Sequence, residues 1–400
     1  MKNILFLTLA SVESIDSRGI YSDLINALGS KGHRVYVVTC RQKRMGLPTG
    51  LEERGNISIL KVRTGNITKT GLIEKCVSTL TIERQYEKAI QTYFQDVKFE
   101  MIMYSTPPIT FENLVGRLKR KHKAKTYLIL KDIFPQNAVD MGFVKKRGLI
   151  WRYFRKREEN LYKISDHIGC MSAANKKYII EHNPNIDANK VEIFPNAIIP
   201  KERFEKTAGP AVRKKYNIPE DAVLFVYGGN LGRPQGIDFL LEIISNFHRV
   251  GNSFLLIVGS GTEYGKIEKH IQEIKPKNVN LLNRLPKEEY DQLMSVTDVG
   301  LIFLDHRFTI PNFPSRLTAY MEASLPIIAA TDVNTDLKDV LQESCSGFWS
   351  ESGDLEMFLA NSIRLAEDQN LGLEMGLNGR KYLEENYDVT KTVDILLKHL

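Results

Sequence analysis

Val223-Leu224-Phe225-Val226-Tyr227 runs directly into Gly228-Gly229-Asn230-Leu231-Gly232-Arg233-Pro234-Gln235-Gly236. An apolar run without alternation reads as a strand covered on both faces, and the helical periodicity of Ile237 to His248 follows the glycine loop. Strand, glycine loop and helix together open a doubly wound α/β sheet. The chain begins in the same order. Lys2 to Leu9 reads as a strand, Ser14 to Gly19 as a loop, Ile20 to Ser30 as an amphipathic helix and Arg34 to Thr39 as a second apolar strand. Further strands are predicted at Met101-Ile102-Met103-Tyr104, Thr126 to Leu130, His167 to Cys170 and Val191 to Phe194. After a linker-like stretch from Pro200 to Pro210 they resume at Phe254 to Val258, Val279 to Leu282, Val299 to Phe303 and Pro326 to Ala329. The chain is therefore expected to be α/β, with two Rossmann-like, doubly wound parallel-sheet domains facing across a cleft. Ligands of such sheets lie beyond the carboxyl ends of the strands, which directs attention to the loops at 14–19, 228–236, 259–261 and 305–316.

Within the last of these, Pro311-Asn312-Phe313-Pro314-Ser315-Arg316 reads as a proline-stopped loop entering a helix capped at Ser315. Free amides at a helix start, a hydroxyl and a guanidinium make a phosphate site; an ordinary serine cap with a surface arginine has the same local sequence. The order of segments around it favours the first reading.

Composition sets the remaining bounds. Four hundred residues with 42% hydrophobic content suit two or three domains with sizeable cores. Cys40, Cys76, Cys170 and Cys345 are far apart, without a paired motif, so neither a zinc site nor a disulfide framework is indicated, and reduced cytoplasmic thiols are expected. The apolar amino terminus is short, and Ser11-Val12-Glu13-Ser14-Ile15-Asp16 places acids where a cleavage site would stand, which fits a buried first strand better than a secretion signal. No apolar run is long enough to cross a bilayer. The net charge of +7 is unevenly placed. Arg117, Lys119, Arg120, Lys121, Lys123 and Lys125 form one basic run. Lys145, Lys146, Arg147, Arg152, Arg155, Lys156 and Arg157 form another, mixed with Leu149, Ile150, Trp151, Tyr153 and Phe154. A solvated helix face accounts for the first equally well, and nucleic acid would accept the charge of either. Basic residues among large apolar ones suit an anionic membrane surface, and the patch expected there is Lys119, Arg120, Arg147, Trp151, Arg152, Phe154 and Arg155.

The order of motifs resembles the retaining, nucleotide-sugar-dependent glycosyltransferases of family 4, which have the GT-B fold. The resemblance runs over essentially the whole chain. It is carried by the first loop with Gly32-His33-Arg34-Val35 after its helix, Phe194-Pro195-Asn196-Ala197, the 228–236 loop, Val258-Gly259-Ser260-Gly261 and Asp298-Val299-Gly300-Leu301. Asp132-Ile133-Phe134-Pro135-Gln136 and Phe313-Pro314-Ser315-Arg316 look most like bacterial O-antigen and capsule transferases of N-acetyl-fucosamine type. The resemblance implies a UDP-sugar donor, a lipid-linked saccharide acceptor, no metal, no nucleic-acid partner and a cytoplasmic location on the inner face of the cell membrane. It also implies an acceptor domain at 1–200, a donor domain at 201–380 and a carboxyl-terminal helix at 381–400 that packs back on the first domain.

The chain departs from the family pattern at four positions. Pro311 and Ala319 stand where two glutamates usually contact the donor sugar and the ribose, and Asn230 and Gln235 stand where an arginine and a lysine are usual. Glu322, one helical turn beyond Ala319, is the candidate for the ribose contact. Arg233 and Arg316 are the candidate replacement cations. Diphosphate contacts are expected from Gly19, Arg233, Ser315 and Arg316, base contacts from Asn283-Arg284-Leu285, and Asn230 is a further candidate for binding the donor nucleotide. Asp132 either orients or deprotonates the acceptor hydroxyl, or caps a short helix. Arg233 as a turn residue, Gly19 as a plain helix start and Arg284 as an exposed residue are the competing structural readings, and Asn196 is expected to fix its own turn. The alternatives for the whole chain are a GT-B UDP-sugar epimerase and an inactive GT-B binding or scaffold subunit.

Overall fold

The computed structural model describes residues 1–10, 12, 14–67, 72–201 and 209–400. Most of the expected linker, 202–208, lies outside the described residues, as do Ser11, Glu13 and the side chain of Cys76. The chain divides into two compact units: unit 1 holds Met1–Ile199 with Asp388–Leu400, and unit 2 holds Pro200–Tyr387.

In unit 1 the strands β1 (Asn3–Leu7), β2 (Arg34–Gln42), β3 (Gly50–Arg54), β4 (Ile57–Thr64), β5 (Met101–Ser105), β6 (Lys125–Leu130), β7 (His167–Cys170) and β8 (Val191–Ile193) form one sheet in the order β3-β4-β2-β1-β5-β6-β7-β8. All neighbours pair parallel except β3 and β4, an antiparallel hairpin turning at Gly55. The sequence reading overlooked that hairpin because β3 carries Glu52, Glu53 and Arg54 and sits at the sheet edge, where charged residues are tolerated. Central strands are buried on both faces, with Ile4, Leu5, Phe6 and Leu7 fully so. That is why they read as continuous apolar runs.

The helix Gln369–Asn386 crosses the boundary expected at 380, and unit 1 regains the chain at Asp388. The helix Val389–Leu397 places Val389, Val393 and Leu396 in one core with Leu24, Leu28 and Phe6. Val389 N–H donates to Ile198 O at 2.9 Å.

Unit 2 holds β9 (Val223–Asn230), β10 (Ser253–Ser260), β11 (Val279–Asn283), β12 (Val299–Phe303), β13 (Ile327–Thr331) and β14 (Gly347–Glu351), all parallel, in the order β11-β10-β9-β12-β13-β14. Strand order reverses between β1 and β5 in unit 1 and between β9 and β12 in unit 2. A crevice opens at each such switch point, beyond the carboxyl ends of the strands.

Candidate functional site

Of the predicted residues, Arg316 and Asn230 lie at the switch point of unit 2. β9 and β12 are in register only at Val299↔Phe225 and Gly300↔Val226, so beyond these the two strands part. Tyr320, from the short helix Arg316–Glu322, fills the split. Its hydroxyl lies 3.2 Å from Val226 O and 3.1 Å from Leu301 O, and Gly228 N–H donates to it at 3.3 Å. Gly300 makes room for the ring, since a Cβ there would lie 2.6 Å from Tyr320 Cγ.

Arg316, one turn before Tyr320 on the same helix face, lies over this arrangement. Its guanidinium carbon is 4.5 Å from the centroid of the Tyr227 ring, a cation–π distance. A Cβ on Gly229, whose φ is +140°, would lie 1.8 Å from Arg316 Nη2, and one on Gly228 would lie 2.0 Å from Tyr290 Oη. Only glycine at both positions leaves the arginine and the tyrosine where they are. Desolvation disfavours the charged guanidinium, but the Tyr227, Tyr320 and Tyr290 phenols outweigh it and raise its proton affinity. Arg316 is thus a charged group sunk among aromatic rings, and among the described residues no carboxylate forms an ion pair with it.

Other expectations need correction. Ser315 occupies the cap position of its helix, but its backbone is already helical and its side chain makes no capping bond. The hydroxyl is exposed, and the helix spans only Arg316–Glu322, so the local cation comes from Arg316 more than from a helix dipole. Glu322 accepts from Lys201 N–H at 3.0 Å, and Arg380 donates to the carbonyls of Glu322 and Lys201 at 3.0 and 2.5 Å. Its carboxylate therefore ties the first segment of unit 2 to the helix Arg316–Glu322, and Arg380 joins both to the helix Gln369–Asn386.

Arg233 begins a 3-10 turn, is mostly exposed and faces Glu263 at 3.6 Å. Asn230 Nδ2 donates to Gln235 Oε1 at 2.7 Å, and Gly232 N–H donates to the same oxygen at 3.2 Å. A neutral pair thus closes the loop at the two positions where cations were expected. Gly259 and Gly261 serve packing, because Cβ atoms there would strike Gly229 O and Leu231 O at 2.0 and 2.1 Å. Asn283 stands in register with Gly259, which stands in register with Gly229. Its side-chain oxygen accepts from Arg284 N–H at 2.8 Å, Arg284 is exposed and Leu285 is half-buried.

Unit 1 holds the remaining candidates. Gly19 has φ +147° with open space around it, and its N–H reaches Asp23 Oδ1 at 3.4 Å. Asp132 follows β6, and its Oδ1 accepts from Asn137 Nδ2 at 2.6 Å. Burial pushes its carboxyl up to about 6, against the opposing pull of that bond. Beside it the switch point holds Thr8 Oγ1 and Ser105 Oγ, 2.9 Å apart. Among the described residues no group of three or more His, Cys, Asp or Glu could hold a metal ion.

The basic patch is also redrawn. Lys119 pairs with Asp166 at 2.8 Å, Arg155 with Glu158, and Phe154 packs edge-on against Phe134 at 5.0 Å. Trp151 is half-buried, and Arg120, Arg147 and Arg152 are exposed. The large apolar residues that do face outward are Phe143, Leu149, Ile150 and Tyr153, with Leu149 85% exposed. No acid occurs from Met141 to Arg157.

Residues 210–382 match the family model for glycosyl transferases group 1. A probable glycosyltransferase, WbjE, of Pseudomonas aeruginosa is 26% identical over 271 residues, 66% of this chain and 64% of that protein. A putative colanic acid biosynthesis glycosyl transferase, WcaI, of Escherichia coli strain K12 is 24% identical over 222 residues, 54% of this chain and 53% of its own. The chain therefore spans between about half and two thirds of these relatives. Among solved structures, sucrose-phosphate synthase from Thermosynechococcus elongatus superposes with a TM-score of 0.78 at 15% identity, over 100% of this chain and 98% of that one. Anabaena HepE in complex with UDP-glucose gives 0.71 at 13% identity, over 100% of both chains. These likenesses show the fold, GT-B.

Tyr320→Phe should cost about 1–3 kcal/mol of stability, because it strands buried polar groups of β9 and β12. Urea unfolding measures it, and a change within error would mean that the split needs no bridge.

Proposed function

We propose that this chain is a family-4-type retaining glycosyltransferase that moves a sugar from a UDP-sugar to a hydroxyl of a lipid-linked glycan. N-acetyl-L-fucosamine or another N-acetyl amino sugar is the candidate donor sugar, and bacterial surface polysaccharide assembly is the setting. The observation that carries this is the Arg316 guanidinium at the switch point, charged, bound by no carboxylate among the described residues and laid against Gly229. A cation so placed awaits an anion, and the diphosphate of a sugar nucleotide is the anion that a GT-B donor unit receives. The match of residues 210–382 to glycosyl transferases group 1 lies on the same unit. HepE, of the same fold, was solved with UDP-glucose, which supports uridine as the base.

In the reaction the bond between the sugar's C1 and the β-phosphate oxygen breaks, the acceptor oxygen bonds to C1 on the same face, and UDP leaves. Charge grows on the departing phosphate, and Arg316 stabilises it without reorganising, since its rings already hold it in place. No metal is required for that role. Asn230 and the Asn283-Arg284-Leu285 segment border the same ends of β9 and β11, as diphosphate and base contacts. Asp132, in unit 1, accepts a hydrogen bond from the acceptor hydroxyl in its ionised form.

The exposed Phe143, Leu149, Ile150 and Tyr153, surrounded by Lys145, Lys146, Arg147 and Arg152, dock unit 1 on an anionic membrane and bring it to a lipid-borne acceptor. None of the described helices is long and apolar enough to cross a bilayer, so the association is peripheral. One observation favours a second reading, an inactive GT-B subunit: the neutral Asn230–Gln235 pair where the family carries cations. UDP binding without any transfer or hydrolysis would select it.

Arg316→Met should weaken UDP binding about 10- to 100-fold by calorimetry, the worth of a charge-assisted contact. Unchanged affinity would remove the arginine from the donor site. Activity should rise as pH climbs through about 6, when the Asp132 carboxyl loses its proton. Asp132→Asn should lower kcat and abolish that limb, and a limb surviving in the variant belongs to another group. The protein should float with anionic phospholipid vesicles at low salt and detach at high salt. The double variant Leu149→Glu, Ile150→Glu should stay in solution, and equal flotation of both forms would refute the docking surface.

A further inference from the structure

The turn Phe194-Pro195-Asn196-Ala197 has no task in the donor site, and the structure joins it to Lys131. Lys131 directly follows β6, with its backbone N–H on Thr106 Oγ1 at 3.0 Å. Its ammonium donates to Asn196 Oδ1. Asn196, 3% exposed, is fixed the other way by Nδ2, which points to Met171 Sδ at 3.5 Å. The asparagine therefore serves the lysine rather than its own turn.

Lys131 lines a small cavity in unit 1 whose wall includes Ile20 and Tyr21, Phe194 and Thr392. Thr392 is 2% exposed, and its hydroxyl has no hydrogen-bond partner among the described residues. Ile20 and Tyr21 are the first residues of the helix Ile20–Ser30, whose amino end is partially positive. The enclosed space is about 10 Å³, room for one oxygen atom with the rest of its molecule outside. Burial alone pushes the ammonium down to about 7, with no acid contributing. Among the described residues, the other titratable group on the cavity wall is the Tyr21 phenol, pushed up to about 12 by burial in spite of its bond to Ser105. Asp132, next in sequence, is turned to Asn137. A partly buried ammonium whose hydrogen-bond partner among the described residues is an amide oxygen is held at a cost, and an orphan hydroxyl on the same cavity wall adds to it; an anion would relieve both.

We propose that Lys131 Nζ, aimed by Asn196 and backed by Thr392 Oγ1, binds one oxygen of a phosphate or diphosphate on the acceptor. This rests on unit 1 being the acceptor side, and it adds that the acceptor is recognised through its anion. Lys131 is the binding group and Asn196 a positioning residue.

Inorganic pyrophosphate is the probe, titrated calorimetrically into the full chain with UDP at saturation so that the donor site is filled. Near pH 6 the wild type should bind it, and Lys131→Met should bind it about tenfold more weakly or worse. Lys131→Arg should retain binding, because a guanidinium stays charged throughout. Comparing wild type with Lys131→Arg at each pH cancels the titration of the probe. The ratio of their affinities should fall as pH rises through about 7. Asn196→Asp gives the lysine a carboxylate and should shift that fall to higher pH. If Lys131→Met fails to fold, Lys131→Arg and Asn196→Asp carry the test through the pH shift alone. Equal binding by wild type and Lys131→Met, no binding by wild type, or a flat affinity ratio overturns the proposal. UDP affinity is read separately on the same proteins. Its absence from wild type would sink the donor reading and leave the pyrophosphate result standing.

Discussion

A guanidinium laid against Gly229, with no carboxylate among the described residues to neutralise it, is the constraint around which unit 2 is arranged. Holding an arginine partly out of water is expensive, and the cost is offset here by the face of Tyr227 and the phenols of Tyr290 and Tyr320. Those rings in turn dictate the backbone around them. Gly300 exists to admit the Tyr320 ring, Gly228 to admit Tyr290 and Gly229 to admit Arg316 itself. The separation of β9 from β12 provides the space, and the Tyr320 hydroxyl satisfies the backbone groups exposed by it. A sheet that parts at its switch point thus acquires a rigid cation where a phosphate can sit.

Unit 1 follows the same principle with different residues. Its sheet also reverses order, between β1 and β5, and a strand end beyond that point carries Lys131, a cation that burial disfavours and that no acid restores among the described residues. Next to it Asp132 is pushed the opposite way, toward the neutral acid. Both shifts have one cause, desolvation at the carboxyl end of β6, and they place two proton-exchanging groups near neutrality on adjacent residues. A site built from polar groups held at a cost in stability is the expected signature of function.

The strands were legible because parallel sheets buried on both faces leave continuous apolar runs, as in Val223–Tyr227 and Ile4–Leu7. The β3–β4 hairpin was not, since an edge strand bearing Glu52, Glu53 and Arg54 lacks that pattern. Arg316 was legible from its place at a helix start, but the reason given for it, a capping Ser315 and a helix dipole, does not describe the structure. Charge spacing could not reveal that Glu322 is engaged with Lys201 or Arg233 with Glu263, because both partners arrive through tertiary packing. Tyr320 could have been found: it lies four residues after Arg316 and so shares its helix face. Lys131 carried a weaker signal, a lone cation ending the apolar strand Thr126–Leu130, and Asn196 carried none that distinguished turn-maker from partner.

On the proposed function, Arg316 at the β9–β12 split receives the diphosphate of a sugar nucleotide. A crystal structure of the protein with UDP tests it most directly. A diphosphate oxygen is expected within hydrogen-bonding distance of the Arg316 guanidinium, beside Gly229, with the base toward the end of β11. UDP bound elsewhere, with Arg316 still packed on Tyr227 and touching no phosphate, would contradict it.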